Sequence, residues 1–192
     1  MSLVPEFDIG LWNAWIPILY YPLHPLIMLL IDKLVGTGGM FQKMGSAPYT
    51  KSEKRAFIFA NALTILLLIY SIFLPLKLWT AWFYVGAAIY LSGLVMFKIA
   101  IVNIATTPLG QPFTKGLYRY SRHPMNLFGT VALIGIGIAA ASWLFLLASI
   151  VSMILFGITV TGEERGCCEL YGDYYREYMK QTPRWIGVPK EV

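Results

Sequence analysis

Residues 127–161, LFGTVALIGIGIAAASWLFLLASIVSMILFGITVT, form an apolar run without a single charge. A helix needs about 20 mostly apolar residues to cross a bilayer, and this run is too long for one crossing. Ala139-Ala140-Ala141-Ser142-Trp143 interrupts it with small and polar residues at mid-length, which suits a tight turn. The run therefore reads as two spans, 127–141 and 143–161, folded into a hairpin. Three further stretches, 11–34, 56–74 and 78–102, meet the same criterion. The chain is 57% hydrophobic and 13% charged, with a mean hydropathy of +0.63. These values exclude a soluble globular domain. An all-α integral membrane protein of about five transmembrane helices is expected, because only internally bonded backbone survives in lipid. It forms a single domain over 1–192: three N-terminal helices (1–102) and a hairpin half (103–192).

Basic residues alternate between the ends of these spans. The segment before Leu11 has none, and the next carries Lys33, Lys43, Lys51, Lys54 and Arg55. The link before Trp79 has only Lys77. The third-to-fourth connection has Lys98, Lys115, Arg119 and Arg122, the turn at Ser142 has none, and the tail has Arg165, Arg176, Lys180, Arg184 and Lys190. Positive charge favours the cytoplasmic side, so the N-terminus is expected outside and the C-terminus in the cytoplasm. The net charge of +5 follows from these loops and from attraction to anionic lipid; no nucleic-acid partner is called for. Glu6 and Asp8, with no basic segment before the first span, argue against a cleaved signal peptide.

Two clusters of ionisable residues stand at the cytoplasmic ends of apolar runs: Arg122-His123-Pro124 and, about forty residues later, Glu163-Glu164. Ionisable groups at such positions mark sites. The segment 103–126 before the hairpin is punctuated by Pro108, Gly110, Pro112 and Gly116, so it reads as loop. Pro124 suits the first turn of the next helix, whose amides favour anions. On charge alone, a basic loop holding lipid headgroups explains the segment equally well. Other signals are weaker. Gly135-Ile136-Gly137 has dinucleotide-loop spacing but lies inside an apolar run, where small residues serve helix packing. Gly36-Thr37-Gly38-Gly39 is a flexible loop without a following Lys-Ser/Thr. Pro17, Pro22 and Pro25 make the first helix irregular, and His24 between them is expected to bond a freed carbonyl. Cys167 and Cys168 read as plain small residues, since a disulfide is not expected in the cytoplasm. Two histidines and two cysteines are too few for a metal centre.

Taken in order, Gly116-Leu117-Tyr118, Arg122-His123-Pro124-Met125-Asn126, the hairpin, Glu163-Glu164, and Tyr171-Gly172-Asp173-Tyr174-Tyr175 running to Tyr178 and Pro183 resemble the isoprenylcysteine carboxyl methyltransferase family and its phospholipid N-methyltransferase relatives. The resemblance covers roughly the C-terminal half, and the chain's size is similar to that of small prokaryotic members. Three positions depart from the family pattern. Asn126 replaces a tyrosine, Gly129 comes one residue late, and Gly110 replaces a histidine. The resemblance implies a membrane enzyme using S-adenosyl-L-methionine and releasing S-adenosyl-L-homocysteine. It further implies cofactor contacts at Asn103, at Gly110, Gln111, Pro112 and Phe113, at Tyr118, at His123, Pro124, Met125 and Asn126, and at Glu163. The catalytic set it implies is Arg122, His123, Glu163 and Glu164.

The chemistry of these residues agrees with that implication. A carboxylate can accept from the cofactor's ammonium or ribose hydroxyls, His123 and the helix N-terminus can hold its carboxylate, and an aromatic ring such as Tyr118 can cover adenine. Neighbouring helical residues differ by about 100°, so one glutamate is expected to face inward, and Glu163 is favoured. A carboxylate acceptor is ionised at neutral pH and needs no general base, whereas an amine acceptor must lose a proton to His123 or a glutamate. With several arginines available to orient a carboxylate, O-methylation of an isoprenylcysteine-like lipid is the leading expectation. N-methylation of a lipid amine and a non-catalytic membrane binding protein are the alternatives. The lipophilic substrate is expected to enter from the bilayer and the cofactor from the cytoplasm. Tyr171 to Tyr178 and Trp185 are expected to form an amphipathic segment at the membrane interface.

Overall fold

The computed structural model describes residues 7–35, 38–39, 42–43 and 47–189. Glu6, Gly36, Thr37 and Lys190, named above, lie outside them. Among the described residues there is no strand, only one isolated bridge between Asn13 and Pro75. The helices are α1 (Trp15–Ile18), α2 (Tyr20–Val35), α3 (Lys51–Ile72), α4 (Ala81–Ala105), a 3-10 helix (Gly116–Arg119), α5 (Pro124–Ala139), α6 (Trp143–Tyr171) and α7 (Asp173–Gln181). Four apolar helical segments are long enough to cross a membrane: Trp15–Val35, Lys51–Ile72, Ala81–Ala105 and Trp143–Tyr171. Pro124–Ala139 is a shorter fifth. The protein is thus an all-helical integral membrane protein.

The proline-rich first span is broken, as expected, at Leu19 between α1 and α2. His24 differs from expectation. Its Nδ1 lies 3.1 Å from the Tyr20 hydroxyl and its ring packs 4.9 Å from Phe97. No bond from His24 to a freed carbonyl is recorded among the described residues; the hydroxyl one turn earlier on the same helix supplies a nearer partner.

The hairpin turns where the sequence placed it. Ala141 adopts a positive φ of 53°, and the Ser142 hydroxyl caps α6 by accepting from Phe145 N at 3.2 Å. Tyr70 of α3 meets the same hydroxyl at 3.2 Å, fixing the turn to the neighbouring helix. The returning helix is longer than the apolar run suggested. It continues past residue 161 to Tyr171, so Glu163 and Glu164 sit inside it, not beyond its end. At 1.5 Å per residue, Glu164 lies roughly 30 Å along α6, while α5 spans only about 23 Å. The surplus carries the glutamates past the first turn of α5, level with Arg122 and His123.

Small residues set the α4–α5 contact. A Cβ at Gly93 would sit 2.6 Å from Ala132 N, and one at Gly135 would collide with the Tyr90 backbone. The Gly135-Ile136-Gly137 spacing therefore belongs to helix packing, with Gly137 against Leu146. Because backbone cannot retreat as a side chain would, Gly93→Val is expected to destabilise the fold by about 1–3 kcal/mol through overpacking. The check is the melting midpoint of the full chain in detergent; an unchanged midpoint would mean that these helices do not meet there.

Candidate active site

Four elements converge where α6 passes the start of α5. The loop 120–123 leads into α5, whose first residue Pro124 has no amide hydrogen to leave unsatisfied. His123 is the N-cap of α5, but its ring makes no cap bond and turns instead to α6. Its Nε2 lies 3.2 Å from Glu164 Oε1 and its Nδ1 lies 3.4 Å from Glu163 Oε2. A protonated ring can donate to both carboxylates, whereas a neutral ring leaves one lone pair facing negative charge. Burial works to depress the His123 pKa, but the hydrogen bonds to Glu163 and Glu164 and their charges outweigh it and hold the ring above its ordinary value.

Glu164 is 3% exposed and fully engaged. Its Oε1 accepts from Arg122 Nε at 2.8 Å and Arg184 Nε at 3.2 Å, and its Oε2 from Arg184 Nη2 at 2.6 Å. Arg122 is in turn tied down by Met179 and Thr182 carbonyls at 2.8 and 2.7 Å, which lie at the C-terminal end of α7, where a cation is favoured. The tail closes over the loop: Arg122 N donates to Pro183 O and Gly187 N to Tyr120 O, while the Tyr178 hydroxyl donates to Tyr118 O at 2.6 Å. Trp185 lies beside the His123 ring, 6.3 Å between centroids.

Glu163 is the open member. Its side chain is 38% exposed; one oxygen faces His123 and the other accepts from the Tyr49 hydroxyl at 3.3 Å. Tyr49 comes from the segment preceding α3. It is held there by packing across Gly162, where a Cβ would fall 2.6 Å from the ring. Next to it, Thr50 and Glu53 form a capping box for α3, and Arg165 clamps that box to α6 through Glu53 Oε2 at 2.6 Å and Pro48 O at 3.0 Å.

The structure thus brings Arg122, His123, Glu163 and Glu164 into one contact network. Other residues named from the sequence lie around it. Pro124 is buried, and Met125 and Asn126 are half-buried on the first turn of α5. Asn103 accepts from Leu117 N at 2.9 Å and ties the 3-10 helix to α4. Gly116 permits this with φ +61° and no Cβ to strike the Asn103 amide. The Tyr118 ring is buried in an apolar cluster with Ile101 and Ile104, against Phe113 at 5.7 Å, so it is not a free face for adenine. Pro112 is half-buried, whereas Gly110 and Gln111 sit on an exposed turn, with no bond to the cluster recorded among the described residues.

Sequence reading missed Tyr49 and Glu53, and it left Arg184 undistinguished among the several arginines available to orient a carboxylate. Thr50-x-x-Glu53 carries a capping-box signature that would have placed the helix start beside Tyr49. Nothing local marks Tyr49 itself.

The fold and this cluster define a membrane protein with a buried ionic site at one end of a helical hairpin. The chain belongs to the phospholipid methyltransferase family, which matches residues 62–174, a span that includes His123, Glu163 and Glu164 but not Tyr49 or Arg184. It is accordingly a membrane methyltransferase. No curated protein matches the chain.

Proposed function

We infer that the protein transfers a methyl group from S-adenosyl-L-methionine to the amine of a lipophilic acceptor drawn from the bilayer. One observation carries the choice of acceptor. Arg122 and Arg184 are both engaged by Glu164, while His123 lies between two carboxylates. An acceptor carboxylate would find no unengaged arginine in the cluster and would face negative charge at Glu163. An alkylammonium is attracted by that same charge, and His123 is placed to take its proton. The family's own description, phospholipid methyltransferase, agrees with an amine-bearing lipid.

The residues also fit the methyl donor. Glu163 alone in the cluster keeps carboxylate lone pairs open to solvent, suited to an ammonium or to ribose hydroxyls, and the half-buried Trp185 offers an aromatic face beside His123. When bound, the donor supplies an electrophilic methyl on a sulfonium. The protein's part is to orient the acceptor, exclude water and hold the released proton at His123. The alternation of basic and bare loops supports an N-terminus outside and a cytoplasmic cluster, with the polar donor arriving from the cytoplasm.

The isoprenylcysteine carboxylate remains the second reading, supported by the ordered motif set from Gly116 to Pro183. Methyl transfer by the purified full chain to phosphatidylethanolamine and to prenylated N-acetylcysteine separates the two. Transfer to the amine is expected, together with calorimetric binding of S-adenosyl-L-homocysteine that weakens at least tenfold in Glu163→Ala. Transfer only to the carboxylate would overturn the acceptor. Absence of both binding and turnover would leave a non-catalytic membrane binding protein.

A further inference from the structure

A second ionisable group lies away from the cluster, inside the apolar layer. Lys98 is the only charged residue of α4. It lies seven residues before the helix ends at Ala105, so roughly 10 Å from that end. A lysine near a helix end usually extends its ammonium toward the headgroups. This one packs against the neighbouring span instead. The first span, α1 followed by α2, runs parallel to α4, as shown by Tyr90 bonding Pro17 O of α1 at 2.9 Å and by Phe97 meeting Tyr20 and His24 of α2 further along. The Lys98 ammonium rests 4.2 Å from the centroid of the Tyr20 ring, and that ring meets Phe97 at 5.4 Å, so the ammonium is held near the turn of α4 that carries Phe97. The Tyr20 hydroxyl is itself anchored at His24 Nδ1, 3.1 Å away.

A cation in an apolar layer is costly and is characteristically paired with an opposite charge or a backbone carbonyl. No carboxylate pairs with Lys98 among the described residues; its ammonium faces the Tyr20 ring and interacts electrostatically with His24. Around it Leu94, Val95, Ile99 and Val102 line an apolar groove of about 370 Å³ along one stripe of α4. The lining runs both ways from Lys98, with Leu94 and Val95 on the side toward the middle of the helix, the direction in which an acyl chain runs from its head.

We propose that the Lys98 groove binds a single-chain amphiphile ending in a carboxylate, a long-chain fatty acid, with its carboxylate on the Lys98 ammonium and its chain along Leu94 and Val95. The depth selects this occupant. A phospholipid phosphate rides at headgroup level and would have to be drawn well into the hydrocarbon to reach the ammonium, whereas a fatty-acid carboxylate has no bulky head to desolvate. The site uses none of the residues assigned to methyl transfer.

The test is native mass spectrometry of the full chain in non-ionic detergent with hexadecanoic acid, hexadecanol or phosphatidylglycerol. Hexadecanoate is expected to bind at least tenfold tighter than hexadecanol, which matches its chain but lacks the charge. Lys98→Gln is expected to abolish that preference and Lys98→Arg to keep it. Both variants retain or reduce charge in lipid, so folding is preserved, and the melting midpoint verifies this. Equal binding of acid and alcohol, or a preference that survives in Lys98→Gln, overturns the site. Lys98-dependent binding of phosphatidylglycerol stronger than that of hexadecanoate overturns the choice of a deep carboxylate.

Discussion

Glu164→Ala is expected to destabilise the protein by about 3–5 kcal/mol, the usual consequence of removing one partner from a buried ionic group. The variant leaves Arg122, whose side chain is 10% exposed, and the buried His123 without their common acceptor. Arg184, at 39% exposed, relaxes into solvent and contributes little. Arg122 keeps its bonds to the Met179 and Thr182 carbonyls, so the residual strain falls where the tail meets the start of α5. For a chain of this size, each kcal/mol shifts the midpoint by about 2–4 °C, which gives a drop of roughly 6–20 °C. Glu163→Ala is the contrast. Its carboxylate is partly solvated and its partners are a tyrosine hydroxyl and a ring nitrogen, so the loss is expected to stay near 1 kcal/mol. Thermal unfolding of both variants in the same detergent decides the matter. Equal midpoints would show that Glu164 is not what holds loop, hairpin and tail together.

That asymmetry was only half legible in the sequence. Glu163 and Glu164 stood out as charges at the end of an apolar run, and the length of the run announced a hairpin. Their separation of about 100° around the helix calls for one inward glutamate, and the structure has one, but it is Glu164, 3% exposed, and not the favoured Glu163, whose side chain is 38% exposed. Both still reach the same ring because His123 stands between them and its two nitrogens serve two directions. The end of α6 was misplaced for a related reason. Hydropathy marks where a segment stops being apolar, not where the helix stops, and residues 162–171 stay helical because their charges are matched by Arg122, Arg184 and the α3 capping box. Tyr49 was invisible because it meets Glu163 across a sequence separation of 114, and an aromatic residue before a helix start has many other uses. The hairpin turn needed neither glycine nor proline; it was legible because small and polar residues interrupt a run too long to cross once, and the structure adds that Ser142 caps the returning helix.

His123→Gln tests the chemistry. Glutamine fills similar space and can still bond Glu164, so the fold is expected to survive, while loss of a general base lowers methyl transfer to an amine acceptor by about 10²–10⁴-fold. The pH profiles carry the sharper signature. The folded-state pKa of His123 is raised above its ordinary value of about 6.5. The stabilisation linked to its protonation is therefore complete below about 6.5 and is lost as pH rises through the higher folded value. Proton acceptance runs the opposite way, because only the neutral ring can take a proton from the acceptor. Over the window above about 6.5, the wild-type protein is expected to gain turnover as it loses thermal stability, and His123→Gln should flatten both slopes together. A carboxylate acceptor, already ionised throughout this window, would give a rate that does not climb with His123 deprotonation. A variant with wild-type turnover, or with an unchanged dependence of its melting midpoint on pH, would remove His123 from the reaction and leave Glu163 as the only partly open base beside it.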